Sequence, residues 1–403
     1  MTDETSTQRH TDPIINSGPL HGGAFAFTAD FPTLRTIEDV RPFIRPDEGI
    51  KAHVWAEDFI GVNYAVTMPE TFQTALDLEC RGLVFDRHTG TLLSRPLHKM
   101  FQLGERQSIA DLDFGQANWV EQKLDGSMIA GLVADGEVRL HTRGGFSRQA
   151  RQAQDAAPAA TIAFVREVVA EGHTPIFEWT SPDNRVVIKY HESRLTLLAL
   201  RHRETGRYLP RADMEAWARR HGVPVAPIHT MSLAGADDLA SLVADVRALT
   251  GEEGVVLAFA DGHRVKIKAT DYLRNHKIIS DIASEKNAQK AWIDDAIDDI
   301  AAILDDHRGQ ALRYFGADMD LAMLAAISKI EHTLTRTAPL SPRDRAAEIQ
   351  ASLPKPLASA AFAIAKGQDP LDQMRRILTW GHRSLDNMRV VRQTFDLPRW
   401  TPE

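Results

Sequence analysis

The stretch EQKLDGSMIAGLVADGEVRLHTRG, residues 121–144, decides the fold. From Ser127 onward apolar residues alternate with others on both sides of Asp135-Gly136, which is the signature of an antiparallel hairpin with a two-residue turn. Ahead of it, Lys123 ends an apolar-alternating run and is followed at once by Asp125, Gly126 and Ser127. A single amine therefore stands at the mouth of a tight turn between two strand-like segments, and its purpose needs explaining.

The same pattern recurs on either side. GLVFDRHTGTLLSRP (82–96), RLTLLALRHRETGRYLP (194–210) and EEGVVLAFADGHRVKIK (252–268) each read as a hairpin about a Gly-containing turn. Helical periodicity interrupts them at 149–171, 211–221 and 237–249. Residues 26–277 thus predict an α+β domain of antiparallel sheets with flanking helices. Residues 1–25 are polar with scattered Gly and Pro and predict a mobile tail. From 278 to 403 the chain is rich in Ala, Leu, Ile, Asp and Arg at helical spacing, cut by prolines at 339, 342, 354, 356 and 370. That segment predicts an all-helical C-terminal domain, in which AWIDDAIDDIAAILDDH (291–307) reads as helix.

Composition excludes several classes. With 43% hydrophobic and 25% charged residues the chain has an ordinary globular balance. No run of about 18 apolar residues and no basic-then-apolar leader is present, so neither a membrane span nor secretion is expected. The single cysteine, Cys80, rules out a disulfide framework and a multi-Cys zinc site, and fits a reducing, cytoplasmic setting. The net charge of −8 argues against a surface coated in basic groups but leaves room for a local basic groove. There is no GxxxxGK[ST] loop and no HExxH pair.

The conspicuous charges of the sheet domain lie in or beside apolar strand patterns, where a charge is costly unless paired or bound. They are Arg81, Lys99, Lys123, Arg143, Glu178, Glu253, Lys266 and Lys268. Basic groups gathered with two carboxylates suit a polyphosphate held with a cation. Lys266 and Lys268 are two apart on a strand and project from one face, while the hairpin partner carries Glu253. The alternative for this pair is a solvated strand edge. Lysine is nucleophilic only as the free amine, and its ordinary pKa is about 10.4. Neighbouring cations favour the neutral form, so Lys123 beside Lys266, Lys268 and a metal could attack phosphorus near neutral pH. Attack on the α-phosphate of ATP would give a lysyl-AMP and expel pyrophosphate. Gly126 would let a ligand approach the backbone closely.

In order, the chain presents RG (81–82), KLDGS (123–127), TRGG (142–145), FEW (177–179), EEGVV (252–256) and VKIK (265–268). This ordered set resembles the motifs of the covalent nucleotidyltransferases. ECRGLVFD (79–86), RPLHKMFQLGE (95–105), FEWTSPDNRVVIKY (177–190) and VKIKATDYLRNHK (265–277) narrow the resemblance to the phage-type RNA ligase 1 family. It covers about residues 51–277. The resemblance implies a ligase-type nucleotidyltransferase fold, ATP and magnesium (or manganese) as cofactors, and RNA ends as substrates. It implies Lys123 as the adenylated nucleophile, with Arg81, Lys99, Lys266 and Lys268 on the triphosphate. Tyr64 and Tyr272 stand where the family has nucleotide-site tyrosines; ordinary core aromatics are the alternative. Glu178 would bind the ribose or organise metal water, Glu253 would act through the metal, and Arg143 would serve the ribose or RNA end. The family more often has Lys at that last position, and Leu124 replaces an often acidic residue.

By spacing, Asp298 aligns with a metal-binding aspartate early in the family's C-terminal domain. On a continuous helix Asp294 and Asp298 would share one face and Asp295 and Asp299 another; a solvated acidic face is the alternative. Family members seal broken anticodon loops, which makes single-stranded or nicked-loop RNA, tRNA included, the expected partner. QMRRILTWGHRSLDNMRVVRQ (373–393) places Arg375, Arg376, Arg383, Arg389 and Arg392 about Trp380, suited to phosphate pairing and base stacking. They could equally pair with the acidic stretch 294–306 and hold the domain together. Two other functions stay open: a DNA ligase or capping-type nucleotidyltransferase, and a non-catalytic RNA-binding module.

Overall fold

The structure is a computed structural model, and it describes residues 31–65, 71–105, 117–229, 239–259 and 261–401. The expected tail at 1–25 lies outside the described residues. The chain divides into two compact units, Met1–Leu273 and Arg274–Glu403.

Among the described residues, twelve strands of the first unit form three four-stranded sheets. The first contains β1 (Ile50–Trp55), β2 (Phe59–Tyr64), β3 (Arg81–Asp86) and β4 (Leu92–Ser94), in that order. The remaining strands are β5 (Phe101–Gln102), β6 (Ala117–Gln122), β7 (Ser127–Ala134), β8 (Glu137–His141), β9 (His173–Thr180), β10 (Arg194–His202), β11 (Gly254–Phe259) and β12 (Arg264–Lys268). They build the second sheet, β10-β9-β7-β8, and the third, β5-β12-β11-β6. The helices α1 (Ala75–Glu79), α2 (Arg148–Ala156), α3 (Ala159–Ala170), α4 (Arg211–His221) and α5 (Leu239–Ala248) flank them, and α6 (Thr270–Asp281) runs across the boundary between the units.

The β7–β8 hairpin turns where its sequence predicts. Asp135 and Gly136 have φ of 52° and 76°, the paired left-handed conformation of a tight hairpin turn, and Ala134 faces Glu137. The expected hairpin at 194–210 is only half formed. Beyond His202 the returning limb makes an isolated bridge, Arg201 to Tyr208, flanked by the His202 N–H to Arg207 carbonyl and Leu209 N–H to Leu200 carbonyl bonds at 2.9 Å, and buried Arg201 braces the turn by donating to the Gly206 carbonyl at 2.7 Å. The expected helix at 149–171 is two helices, with Pro158 at the N-cap of the second.

Strand alternation positions the site. In the second sheet Phe177, Trp179, Leu195 and Leu197 pack with Phe164, Val165 and Val168 of α3, so Glu178 points to the opposite face. In the third sheet Val120, Val255, Leu257, Val265 and Ile267 pack with Leu242, Val243 and Val246 of α5. Glu121, Val256, Lys266 and Lys268 are therefore turned the other way. The faces left bare of helices are the ones that carry charge.

The second unit is helical: α7 (Glu285–Ile293), α8 (Ile297–Ile303), α9 (Asp306–Thr337), α10 (Pro342–Ser352), α11 (Lys355–Ile364), α12 (Pro370–Gly381) and α13 (Leu385–Thr394). Leu312, Phe315, Met319, Met323, Ala326 and Ile330 form one stripe of α9 facing its core. Here the sequence expectation fails in one place. Asp294 is the C-cap of α7 and Asp295 has φ 55°, so 291–307 is not one helix and the expected pairing of Asp294 with Asp298 on one face is lost. Aspartate tolerates the left-handed conformation, which lets the chain break there without a glycine.

Candidate active site

The KLDG turn is where the chain passes from the third sheet to the second: β6 ends at Gln122 and β7 begins at Ser127. The backbone N–H of Lys123 donates to the Gly254 carbonyl at 2.9 Å, anchoring the turn to the start of β11. Gly126 has a different role from the one its sequence suggests. A Cβ there would stand 2.3 Å from the Trp179 carbonyl oxygen, so the close approach is to β9.

Asp125, 2% exposed, fixes the turn from below. Its Oδ2 accepts from the backbone N–H groups of Val187 and Ile188, both at 2.7 Å. Its Oδ1 accepts from the Tyr272 hydroxyl at 2.7 Å, and its own N–H donates to the Tyr190 hydroxyl at 3.0 Å. Burial first, then the Glu253 and Asp125 carboxylates, push the Tyr272 hydroxyl above its ordinary pKa and keep it a donor.

Glu253, 4% exposed, joins two of the predicted lysines. Oε2 accepts from Lys123 Nζ and Oε1 from Lys268 Nζ, each at 2.8 Å. Gly254 follows it with φ 135°, where a Cβ would lie 2.1 Å from the Ile267 carbonyl oxygen, so only glycine lets β11 start so close to β12. Lys268 also sits 4.8 Å from the centre of the Tyr272 ring.

A pocket of about 220 Å³ opens above the turn, and Arg81, Lys123, Glu178, Lys266 and Lys268 all line it. Burial, then the charges of Lys123, Lys99, Arg81 and Lys268, lowers Lys266 to about 7. Burial also raises Glu178 to about 7 against the opposing pull of Lys123. Glu121, at the pocket wall, is buried with its pKa raised by desolvation and pairs with Arg211 at 3.1 Å and Arg264 at 3.9 Å.

A basic cluster adjoins Arg81. The Arg143 guanidinium lies 4.4 Å from the Tyr64 ring centre and donates to the Tyr64 carbonyl at 3.1 Å. Lys99 stands 4.9–5.8 Å from the ring centres of Phe101, Phe72 and Tyr64. Burial raises the Tyr64 hydroxyl, but Arg81, Arg143 and Lys99 outweigh it and hold it below its ordinary pKa. Arg81 itself donates to the Leu97 carbonyl at 3.3 Å.

The structure thus gathers Lys123, Glu178, Glu253, Lys266, Lys268 and Arg81, sets Tyr64, Lys99 and Arg143 in a neighbouring cluster, and uses Tyr272 as a support for Asp125. Asp298 belongs to the other unit, where it is largely exposed and accepts from Arg313 at 3.3 Å. Among the described residues no group of three or more His, Cys, Asp or Glu could by itself hold a metal. Magnesium bound to nucleotides, however, takes one or two carboxylates plus phosphate oxygens. Glu178 and Glu253, two buried carboxylates among lysines, fit that donor set. The sequence does not mark Asp125 as a working residue; its signal there is an aspartate two residues past Lys123, just beyond the end of β6.

Residues 79–278 match the family model described as RNA ligase. A putative RNA ligase of Thermovibrio ammonificans is 36% identical over 156 residues, 38% of this chain and 41% of that protein. RNA ligase 1 of bacteriophage TS2126 is 31% identical over 161 residues, 37% of this chain and 40% of that protein. The match thus spans about two fifths of these relatives' own length. Among solved structures, an archaeal ATP-dependent RNA ligase aligns over 61% of this chain and 64% of that one, with TM-score 0.46 and 18% identity. The matched segment contains every pocket residue named above, from Arg81 to Lys268, and it is this segment that is similar to the RNA ligase family.

Proposed function

We propose that this chain is an ATP-dependent RNA ligase that joins 3′-OH and 5′-phosphate RNA ends through a lysyl-AMP and an RNA-adenylate. The observation that carries this reading is Glu253 holding Lys123 and Lys268 at 2.8 Å each beside a pocket lined by Arg81, Glu178 and Lys266. Lys123 passes to Glu253 the proton it already shares with it, and its lone pair attacks the α-phosphorus of ATP. A P–N bond forms and the P–O bond to pyrophosphate breaks, with Lys266, Lys268 and Arg81 balancing the charge that departs. The 5′-phosphate of the donor RNA then displaces Lys123 from AMP. The acceptor 3′-OH attacks the 5′-phosphorus of the RNA-adenylate, and AMP leaves. Magnesium, or manganese, held by Glu178 with the phosphates while Glu253 takes the proton, would supply charge neutralisation there.

The RNA is placed in repair of nicked loops such as those of tRNA, in the cytoplasm. The exposed Arg383 and Arg389 of the second unit support the first assignment and the single cysteine, Cys80, the second. The test is sealing of a 5′-phosphorylated RNA to a 3′-OH strand. ATP-dependent product from the wild type and none from Lys123→Ala supports the reading; product of equal yield from both overturns it.

A further inference from the structure

A second cavity, of about 360 Å³, adjoins the nucleotide pocket and shares two of its walls, Gln122 and Leu124. These residues flank Lys123, so the nucleophile's turn is the partition between the two spaces. The volume lies within the range of small-molecule sites, roughly 300–1,000 Å³. Resting on the ligase reading above, we infer that this cavity seats the 3′-terminal nucleoside of the acceptor RNA.

The lining carries the inference. Pro224, Val225 and Pro227 form an apolar wall, held in place where Val225 bridges Leu197 and where Gln122 N–H donates to the Pro227 carbonyl at 3.0 Å. The hydroxyl-bearing Thr180 and Thr196 form another wall. Thr196 is the register partner of Glu178, so the sheet face that brings Glu178 to the nucleotide pocket continues directly into this cavity. Apolar surface with hydroxyls suits a neutral base and ribose.

Charge lies at the rim. His191 and Arg194 are exposed there, beside Glu192, and Tyr190 completes the edge. One arginine and one histidine suit the single phosphate that links the last nucleoside to the one before it. They do not suit a triphosphate or a terminal 5′-phosphate, which Glu192 would repel and which Arg81, Lys266 and Lys268 already provide for in the adjoining pocket. An acceptor end, with a free 3′-OH and no terminal phosphate, is the one reactant that matches. The rim is also tied to the nucleophile: the Val187 and Ile188 N–H groups that precede it are the donors to Asp125. Occupancy of the cavity therefore places a nucleoside at a fixed offset from Lys123.

The test uses the full chain with His191→Ala, Arg194→Glu and the double variant, whose exposed positions leave the fold intact. With a pre-adenylated donor strand the sealing step is isolated, and the concentration of a 3′-OH acceptor oligoribonucleotide is varied. Loss of one phosphate contact and one rim contact should raise the acceptor KM roughly tenfold in the double variant. Lysyl-AMP formation and its transfer to a 5′-phosphate should stay at the wild-type rate. An unchanged acceptor KM, or an equal fall in adenylation, overturns the assignment. If the wild type seals nothing, the ligase reading has failed on its own account. The cavity is then judged by anisotropy of a labelled 3′-OH oligoribonucleotide: weaker binding by the double variant supports the seat, and equal binding overturns it.

Discussion

Glu253 Oε2 accepts a hydrogen bond from Lys123 Nζ at 2.8 Å while its other oxygen is held by Lys268 at the same distance. The Lys123 amine is thus held at the pocket by a carboxylate that is 4% exposed and anchored by a second lysine. Glu253→Gln keeps the shape but removes the proton acceptor. Adenylation should fall by about 10² or more, the usual scale for a positioned acid or base. The check is a single-turnover labelling rate; a wild-type rate would remove Glu253 from the chemistry.

Lys123→Ala and Asp125→Ala should separate chemistry from stability. The first removes a partly exposed amine and leaves Glu253 still paired with Lys268, so the melting temperature should barely move. The second strands two backbone donors and a tyrosine hydroxyl in the interior, a loss on the order of 3 kcal/mol. Denaturant unfolding of the two variants measures the difference. Equal stability would mean that Asp125 does not hold the turn.

Lys266 makes a prediction about protons. Free, its amine has a pKa of about 7, lowered by burial first and then by four cations. Bound phosphates favour the ammonium form and raise that pKa. Above about pH 7 the complex therefore holds more protons than the free protein, so ATP binding should take up protons and weaken as pH rises. Calorimetry in buffers of different ionisation enthalpy reads the uptake. Lys266→Arg should reduce it, leaving the share that Glu178 takes up, and Lys266→Ala should slow adenylation by roughly 10². Proton release by the wild type would contradict this account.

Legibility of the site followed from its chemistry. Lys266 and Lys268 stood out because a charge inside a period-two apolar strand has few reasons to be there, and β7–β8 because Asp-Gly dictates its turn. Asp125 did not stand out as a working residue, since its partners at 187, 188 and 272 are distant in sequence and two of them are backbone groups. The break at Asp294-Asp295 was equally hidden: helical periodicity carries across it, and no glycine or proline marks it. Buried Arg201 of β10 was hidden too, since its partners are the Gly206 and Pro96 carbonyls and Glu79, which lie far apart in sequence.

The arginines of the second unit divide in two. Arg375 pairs with Asp295 and lies over the Trp292 ring, and Arg392 pairs with Glu285, so these two hold the helices together. Arg383 is exposed, and Arg389 has only a surface contact with Asp386 at 3.5 Å. Charge swaps at Arg383 and Arg389 should weaken sealing of a nicked stem-loop most at low salt, with the gap from wild type narrowing as salt rises, and spare adenylation. Swaps at Arg375 and Arg392 should lower the melting temperature instead. The same response from both pairs would rule out this division.

The most direct measurement is to incubate the wild-type chain with α-labelled ATP and magnesium, denature it, digest it and locate the label. The account predicts a phosphoramidate-linked AMP on the peptide containing Lys123, absent from Lys123→Ala and at background when GTP replaces ATP. Label on any other residue, or undiminished label on Lys123→Ala, would contradict it.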